Sequence, residues 1–426
     1  LPHLVEAYGI DEVIIAASNG PRVIRRVVDI CVGIDVRLRT LPELDLLLES
    51  TAVADVRDLE LSDLLPRQMV STDMTAVAHL IEGRRVLVTG AGGSIGCEIV
   101  NQVSRFHPAE VVALDHDEGH LYEASLGWPR LETTPVAALA DICDRPALET
   151  LLARYRPQLV FHAAAHKHVP ILEMFPEEAV KTNVVATRHL IDAVRKAGVE
   201  RFVLISTDKA VEPSSAMGAS KRVAEMLVQS AAAWSPRGTI FSAVRFGNVL
   251  GSRGSVVPTF MRQIREGGPV TVSDPDMLRY FMLTSEAVEL VLQSAAIAQG
   301  GEIFVLDMGE PVRIGDLARR MIRLAGLVPG RDIEVSIVGA RPGEKRREIV
   351  SKSPLLATGH PKIGIALASP PDPMDLSEAI EELRRLVGRQ DRVVLRDSLM
   401  AIAWQTWNGD QIVLDLLHPE ALEASV

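Results

Sequence analysis

The sequence of 426 residues has little cysteine, no excess of positive charge and no long apolar run. Its three cysteines, Cys31, Cys97 and Cys143, lie far apart in the sequence, which fits a reducing compartment. They form no CxxC motif or Cys/His cluster, so they do not indicate a metal-binding site. We expect them to be small buried hydrophobic residues. A formal net charge of -11 argues against general affinity for nucleic acid or anionic lipid and favours a small-molecule partner. No run of about 18 apolar residues is present, so the chain is expected to be soluble and cytoplasmic.

What is present divides the chain into four predicted regions. Residues 1–65 contain strand-like and helical segments and predict a small α/β unit, and residues 66–83 predict a connector with an entry helix. Residues 84–390 form the main domain, and residues 391–426 are a tail with apolar content but no motif. The sequence starts at Leu1 rather than at methionine and soon reaches a strand-like segment, which favours a fragment of a longer protein.

The main domain has the apolar pattern of a parallel sheet. Continuous apolar runs that alternate with helices are typical of strands covered on both faces, so the predicted fold class is α/β with a doubly wound parallel sheet. Beyond Phe246, segments rich in glycine, proline and arginine predict a smaller substrate lobe, mainly from 247–285 and 300–375. The four apolar runs are 86–88, 111–114, 159–161 and 202–205.

A glycine-rich turn follows the first of these strands. Gly90, Gly93 and Gly96 have GxxGxxG spacing before a helix predicted to begin near Ile95, and such a turn lets backbone N–H groups approach a pyrophosphate. Asp115 ends the next strand, where a carboxylate can accept a hydrogen bond from a ribose hydroxyl and repel a 2′-phosphate. The sequence therefore predicts a dinucleotide site that favours NAD over NADP. The same site is predicted to include Ser94, Ile95 and His116.

Two further segments are predicted to line the cofactor site. Asp141 and Ile142 follow the third strand and would lie against the adenine ring, although Asp141 could equally cap a helix. The small residues 163–165, Ala163, Ala164 and Ala165, end the fourth strand and allow close approach of a ribose. The His-Lys-His run at 166–168 does not predict a metal site, because adjacent loop residues do not converge on one ion.

A hydroxyl, a carboxylate and an ammonium group emerge together after the strand at 202–205. These groups belong to Thr207, Asp208 and Lys209, and ligands bind at that edge of open α/β sheets. Lys221 lies four residues after Met217, which places both on one helix face. A solvated lysine and a packed core methionine are the alternatives for these two positions. We predict that these five residues form the catalytic site.

Several arginines in the glycine- and proline-rich loops could hold a diphosphate. Guanidinium groups fit phosphate oxygens, and several that converge from different loops would form an anion pocket, although each alone could be a solvated charge. The pocket is predicted from Arg245, Asn248, Arg253, Arg279, Arg341 and Lys345. The full set predicted to bind the substrate is Lys167, Asn248, Arg253, Ser255, Val256, Arg279, Arg341 and Glu344.

Eight motifs occur in order along residues 84–350: TGAGGSIG at 89–96, LDHDE at 114–118, HAAAHKHVPILE at 162–173, TNVVAT at 182–187, STDKAVEPSSAMGASKR at 206–222, RFGNVLGSRGSVVPTF at 245–260, DPDMLRYFML at 274–283 and RPGEK at 341–345. With these motifs the segment resembles the extended short-chain dehydrogenases, which have the Rossmann fold, and more closely the bacterial UDP-N-acetylglucosamine 4,6-dehydratases of polysaccharide and glycan biosynthesis. The family's Tyr-x-x-x-Lys pattern has Met217 in place of tyrosine here, and the resemblance implies the branch that keeps the configuration at carbon 5.

The resemblance implies that NAD is tightly held and recycled while UDP-N-acetylglucosamine is converted to the UDP-4-keto-6-deoxy sugar. Elimination of water across carbons 5 and 6 needs a base and an acid, and Lys209 and Asp208 are the adjacent pair able to supply them. Thr207 would hydrogen-bond the carbon 4 oxygen, and Lys221 would orient the nicotinamide ribose. The group that deprotonates the carbon 4 hydroxyl is left open.

Two other functions compete with dehydration. A UDP-sugar 4-epimerase would share the fold, the cofactor and the first step, and a non-catalytic NAD-binding scaffold is suggested by the missing tyrosine. The family's large members carry an N-terminal membrane region, so we expect the parent protein to be anchored at the cytoplasmic face of the bacterial inner membrane. We also expect a homo-oligomer, whose size the sequence leaves open.

Overall fold

The computed structural model describes residues 1–15, 21–32, 34, 36–40, 57–58, 73–234, 238–368, 371–389 and 391–405. The chain divides into two compact units. The small unit comprises Leu1–Ser71, Asn248–Leu283 and Met308–Arg341, and the large unit comprises Thr72–Gly247, Thr284–Asp307 and Pro342–Val426.

Helices and strands alternate along most of the described chain. The α-helices are α1 Pro2–Tyr8, α2 Pro21–Ile30, α3 Thr75–Ile81, α4 Ser94–Val103, α5 Glu118–Ser125, α6 Arg145–Tyr155, α7 Val169–Met174, α8 Pro176–Glu178, α9 Thr187–Ala197, α10 Ala216–Ala233, α11 Val256–Arg265, α12 Thr284–Ile297, α13 Ile314–Leu324, α14 Pro373–Arg389 and α15 Arg392–Trp404, with a π-helical segment at Ala179–Ala186. The strands are β1 Glu12–Ile15, β2 Arg37–Thr40, β3 Arg57–Asp58, β4 Arg85–Thr89, β5 Glu110–Asp115, β6 Val136–Leu139, β7 Leu159–His162, β8 Arg201–Ile205, β9 Ile240–Arg245, β10 Asn248–Val249, β11 Val270–Val272, β12 Leu278–Arg279, β13 Phe281–Met282, β14 Ile303–Leu306, β15 Val312–Arg313, β16 Val335–Ile337, β17 Leu356–Ala357 and β18 Ile363–Ile365.

The large unit is built on a nine-stranded sheet with the order β17-β18-β14-β9-β8-β7-β4-β5-β6. The pairs from β14 through β9, β8, β7, β4 and β5 to β6 are parallel, and β17 and β18 extend the sheet antiparallel. The predicted doubly wound α/β fold is thereby confirmed. Strand order reverses at β4, which lies between β5 and β7, and such a reversal opens a crevice at the carboxyl ends of the strands.

The central strands are apolar along their whole length because helices cover both faces of the sheet. All four residues of β7 are buried, and so are four of the five residues of β4. Leu87, Val160 and Phe202 belong to one buried apolar cluster, to which Leu190 of α9 and Val223 of α10 also belong. This packing makes the strand ends rigid platforms for the loops that follow them.

The small unit combines the predicted N-terminal α/β element with the lobe segments. β1 and β2 pair in parallel, β2 and β3 antiparallel, and α2 lies between β1 and β2 in the chain. Arg320 of α13 donates two hydrogen bonds, of 2.6 and 2.9 Å, to the Asp29 carboxylate at the end of α2. The lobe has its own apolar cluster, which includes Phe260 of α11 and Ile322 of α13. The predicted domain boundaries remain predictions.

The cysteines and the tail differ in part from expectation. Cys31 is buried as predicted, but Cys97 is only partly buried and Cys143 is exposed, so the prediction is wrong for Cys143. The described part of the tail forms α15, whose buried residues Leu395, Leu399 and Ala403 join the main apolar cluster. The apolar run at 413–417 lies outside the described residues. Within the described ranges, no helix is long and apolar enough to cross a membrane.

Candidate active site

The glycine-rich turn joins β4 to α4 at the reversal of strand order. Gly90 has φ of +70°, and a Cβ atom there would lie 2.6 Å from the Ala164 nitrogen. A Cβ on Gly96 would lie 2.0 Å from the Gly90 carbonyl oxygen, so a side chain at either position requires backbone movement. α4 begins at Ser94, one residue before the predicted start, and its first N–H groups follow the turn directly. This is the geometry that a pyrophosphate requires at a helix N-terminus.

Asp115 lies at the end of β5 and holds the turn from the other side. Its Oδ2 accepts from the Gly92 N–H at 2.8 Å, and its Oδ1 accepts from the Asp117 N–H at 3.0 Å. The His116 imidazole Nδ1 is 3.5 Å from Oδ1. A carboxylate has about four acceptor sites, so these bonds leave capacity for ribose hydroxyls. The assignments of Asp115 and His116 to the cofactor remain predictions.

His162 at the end of β7 is a buried residue whose hydrogen bonds the sequence did not predict. Its Nδ1 is 2.7 Å from the Thr89 hydroxyl, and its Nε2 is 3.0 Å from the Thr187 hydroxyl. Since the Thr187 hydroxyl already donates to the Asn183 carbonyl at 2.8 Å, it accepts from Nε2–H, which fixes the tautomer. Burial, with the Lys221 charge acting in the same direction, lowers the pKa of His162 to about 3. This neutral ring ties the ends of β4 and β7 together.

The remaining predicted cofactor residues lie on two nearby loops. The Asp141 carboxylate accepts from the Cys143 N–H at 2.8 Å, and α6 is capped by Asp144 instead. The alternative that Asp141 caps this helix is therefore wrong, because Asp144 occupies the N-cap position. Ile142 is 4% exposed and joins the apolar cluster, while residues 163–165 are half-buried directly after β7. Adenine contact by Asp141 and Ile142 remains a prediction.

The turn after β8 brings the predicted catalytic triplet together. Asp208 is fully buried, and its Oδ1 accepts from the Thr207 hydroxyl at 3.0 Å and from Lys209 Nζ at 2.9 Å. The second oxygen, Oδ2, has no hydrogen-bond partner among the described residues. The side chain of Lys209 is 20% exposed. A carboxylate and an amine thus share one hydrogen bond, and such a pair can carry out paired proton transfers.

Helix α10 carries Met217 and Lys221 past this turn. Met217 is 4% exposed and packs with Leu172 and Ala179, so the interpretation as a packed core methionine fits its surroundings. Lys221 is 7% exposed, which excludes the alternative of a solvated lysine. Burial lowers the pKa of Lys221 to about 8, against the opposing effect of the Glu225 carboxylate. A Cβ on Gly218 would lie 2.3 Å from the Lys209 carbonyl oxygen, so the start of the helix packs closely against the predicted catalytic turn.

Arg245 is committed to a buried network rather than to an anion pocket. Its guanidinium is 5% exposed and donates two hydrogen bonds of 2.6 Å to Glu225, which also accepts from the Ser206 hydroxyl at 2.6 Å. Although burial acts to raise it, Arg245 and Arg222 hold the pKa of Glu225 below its usual value. The network joins the ends of β8 and β9 to α10. The prediction of Arg245 as a phosphate ligand is wrong, because its Nε and Nη2 groups both donate to the buried Glu225 carboxylate.

Lys345 also turns inward. Its Nζ donates to the Val211 carbonyl at 2.7 Å and lies 3.6 Å from Glu348, a buried residue that the sequence did not suggest. Glu348 is in turn 3.9 Å from Lys209 Nζ. A lone glutamate beyond the RPGEK motif looks like any surface glutamate in the sequence, so no signal distinguished it.

The predicted substrate-binding residues are divided between the two units. In the large unit Lys167 is exposed and Glu344 is half-buried. In the small unit Arg279 is buried and donates to the Leu278 carbonyl at 2.9 Å, whereas Arg253 and Arg341 are exposed. Their assignment, and that of the three small-unit residues that begin β10 and α11, remains a prediction. These three are Asn248, Ser255 and Val256. No group of three or more potential metal ligands occurs in the part of the chain that is described.

Residues of helix α15 make hydrogen bonds that hold the start of α10 in place. The Glu173 carboxylate accepts from the Ala216 N–H at 2.6 Å and from the Arg396 guanidinium at 2.8 Å. The Trp404 indole donates to the Pro213 carbonyl at 2.9 Å. The tail, which shows no motif in the sequence, therefore holds the backbone that leads into Met217.

Comparison with known proteins shows extensive similarity. Residues 86–366 match a family described as Polysaccharide biosynthesis protein. The chain is 46% identical over 362 residues to the probable polysaccharide biosynthesis protein EpsC of Bacillus subtilis, covering 84% of this chain and 60% of EpsC. It is 45% identical over 355 residues to the capsular polysaccharide biosynthesis protein CapD of Staphylococcus aureus, covering 82% of this chain and 59% of CapD. The chain thus spans about 60% of the length of these relatives.

Enzymes of nucleotide sugars are among the other similar proteins. A UDP-glucose 4-epimerase of Rickettsia massiliae is 32% identical over 284 residues, covering 64% of this chain and 79% of the epimerase. The structure of Pen from Bacillus thuringiensis superimposes with a TM-score of 0.61 at 30% identity, covering 73% of this chain and 99% of Pen. MoeE5, solved in complex with UDP-glucose and NAD, has a TM-score of 0.52 at 27% identity, covering 62% and 88% of the two chains.

Proposed function

Because this chain belongs to the polysaccharide biosynthesis protein family, we propose that it is an NAD-dependent UDP-N-acetylglucosamine 4,6-dehydratase that retains the configuration at carbon 5. The observation that carries the proposal is the hydrogen bond of 2.9 Å between Lys209 and the buried Asp208 at the carboxyl end of β8. Elimination of water needs a base at carbon 5 and an acid at the carbon 6 hydroxyl, and this pair provides both.

The glycine-rich turn and Lys221 would hold NAD. The space that a Cβ atom would fill at Gly90 and Gly96 is taken by neighbouring backbone, which keeps the turn compact, and the α4 N-terminus supplies N–H donors for a pyrophosphate. Bound NAD would supply a hydride acceptor for carbon 4 and later a hydride donor for carbon 6. Lys221 would orient the nicotinamide ribose. The complex of MoeE5 with UDP-glucose and NAD supports this choice of ligands.

The catalytic turn would perform the proton transfers. Once carbon 4 is a ketone, it acidifies the proton on carbon 5. The Thr207 hydroxyl, released from its bond to Asp208 when that carboxyl is protonated, would donate to the ketone oxygen. Lys209 takes that proton, and the electron pair of the C–H bond forms the double bond between carbons 5 and 6. Asp208 gives a proton to the departing carbon 6 hydroxyl, which leaves as water. When hydride returns to carbon 6, Lys209 returns the proton to carbon 5, and the product is the 4-keto-6-deoxy sugar.

A UDP-sugar 4-epimerase is the second candidate, which the similarity to the Rickettsia massiliae epimerase favours. An epimerase needs no acid to expel a hydroxyl, whereas this site holds one next to a base. We expect purified protein to convert UDP-N-acetylglucosamine without added NAD to a product that absorbs in alkali as a 4-keto sugar. In deuterated water the product should carry deuterium at carbon 5. Formation of the carbon 4 epimer without a keto product would establish the epimerase, and absence of any turnover would favour a non-catalytic scaffold.

Met217 is expected to be a bystander in proton transfer because a thioether has no ionisable group. Met217→Leu conserves volume among Leu172 and Ala179, and such swaps cost less than about 1.5 kcal/mol. The initial rate of keto-product formation should therefore stay within about tenfold of the unmodified protein. A loss of several orders of magnitude with NAD binding intact would show that the methionine takes part in the chemistry.

A further inference from the structure

A segment that begins within the RPGEK motif lies against the catalytic turn, and we call residues 342–352 the strap. The Ser214 hydroxyl donates to the Gly343 carbonyl at 2.9 Å, and Gly343 has φ of +81°. A Cβ on Gly343 would lie 2.9 Å from the Ser215 Cβ, so only glycine allows this close approach. Together with the bond from Lys345 to Val211, these contacts hold the strap beside the turn that bears Asp208 and Lys209.

The strap places the carboxylate of Glu348 in the interior. Glu348 is 3% exposed, and its Oε2 makes no hydrogen bond among the described residues. Its nearest cations are Lys345 Nζ at 3.6 Å and Lys209 Nζ at 3.9 Å, both within ion-pair range. A buried carboxylate oxygen without a hydrogen bond is costly, and an ordinary structural role would be better served by fully satisfied oxygens. The burial of Glu348 is explained if its negative charge is needed beside the Lys209 ammonium group.

Building on the proposed dehydratase function, we propose that Glu348 is a positioning residue that stabilises the ammonium charge of Lys209 as it takes the proton from carbon 5. Asp208 gives up its proton in the same step, whereas Glu348 takes part in no proton transfer. No bond to Glu348 forms or breaks. A fixed charge aimed at a developing opposite charge in a buried site stabilises the transition state without reorganisation.

Other charged groups around the strap and the turn are paired or exposed. Glu212 forms an ion pair with Lys352 at 3.3 Å, and Glu173 binds Arg396 of α15 at 2.8 Å. Arg346 and Arg347 on the strap itself are exposed to solvent, which screens their charge. Glu348 lies 3.9 Å from Lys209 Nζ and 3.6 Å from Lys345 Nζ, so it faces the acid–base pair on one side and a second cation on the other.

The test is the pH profile of elimination in Glu348→Gln, which keeps the shape and removes the charge. Elimination requires Lys209 to take a proton and Asp208 to give one, so the rate should follow a bell-shaped pH profile. Loss of a neighbouring negative charge makes protonation of both Lys209 and Asp208 less favourable. The whole bell-shaped profile should therefore move to lower pH by about 1–3 units. Glu348→Asp, which restores the charge, should return the profile toward its original position. Glu382→Gln, the same change on α14 where the side chain is 47% exposed and pairs with Arg385, should not move it.

Lys345→Gln provides an independent variant if Glu348→Gln does not fold. Removing this cation strengthens proton binding to the pair, so the profile should move in the opposite direction, to higher pH. Profiles of both variants that coincide with that of the unmodified protein would overturn the role of Glu348 while leaving dehydration intact. If the unmodified protein forms no 4-keto product, the proposed function fails instead, and the two failures are separated by that one measurement.

Discussion

Lys209→Ala should suppress formation of the 4-keto product by about 10²–10⁴-fold, the usual contribution of a positioned acid or base. Hydride transfer from carbon 4 depends mainly on cofactor placement, so UDP-N-acetylglucosamine should still partly reduce bound NAD, visible at the NADH absorbance band. Exchange of the carbon 5 proton with deuterated solvent should vanish because the base is gone. Exchange at the original rate would show that Lys209 is not the base.

Two companion variants sharpen this experiment. Asp208→Asn should also suppress product, but it retains Lys209, so exchange at carbon 5 should continue while water is not expelled. Lys209→Gln can still donate a hydrogen bond to the buried Asp208 and guards against loss of the fold, because removal of one partner from a buried ion pair is destabilising. Lys196→Ala removes an exposed lysine at the end of α9 and should leave the rate unchanged.

Gly96→Ala should reduce NAD affinity by roughly fivefold to hundredfold, which corresponds to the ~1–3 kcal/mol cost of overpacking. The new Cβ would lie 2.0 Å from the Gly90 oxygen and 2.6 Å from the Gly90 carbonyl carbon, far inside normal contact. Gly90 is itself packed closely against Ala164, whose nitrogen would lie 2.6 Å from a Cβ at position 90. The turn that cradles the pyrophosphate must therefore distort. Isothermal titration calorimetry with NAD measures the effect directly.

Gly388→Ala is the matched control for this change. Gly388 lies on the exposed side of α14 with nothing within 4 Å of a Cβ at that position. The substitution should leave NAD affinity unchanged and stabilise the helix by roughly 0.5–1 kcal/mol, because alanine loses less backbone entropy than glycine. Equal NAD affinity in the Gly96 and Gly388 variants would show that the turn does not bind the cofactor as inferred.

Much of the framework could be predicted because its signals are local. The central strands are continuous apolar runs, and a strand buried on both faces needs no partner information to be recognised. The glycine turn, Asp115 and the triplet 207–209 each occupy the carboxyl end of one such strand, so placing the strands also placed them at one edge of the sheet. Asp144 rather than Asp141 caps α6, a difference of one turn that sequence spacing could not resolve.

The sequence by itself determined the doubly wound sheet, the glycine turn and the contiguous Thr207-Asp208-Lys209 site, since each is encoded within a few consecutive residues. Only the tertiary structure decided that Glu348 lies 3.9 Å from Lys209 and that Arg245 binds Glu225 instead of facing an anion. The physical reason is that the local sequence around a single charged residue does not indicate whether its side chain is solvated or buried. Its role depends on which distant segment packs against it, and that is a property of the folded chain rather than of its neighbours in sequence.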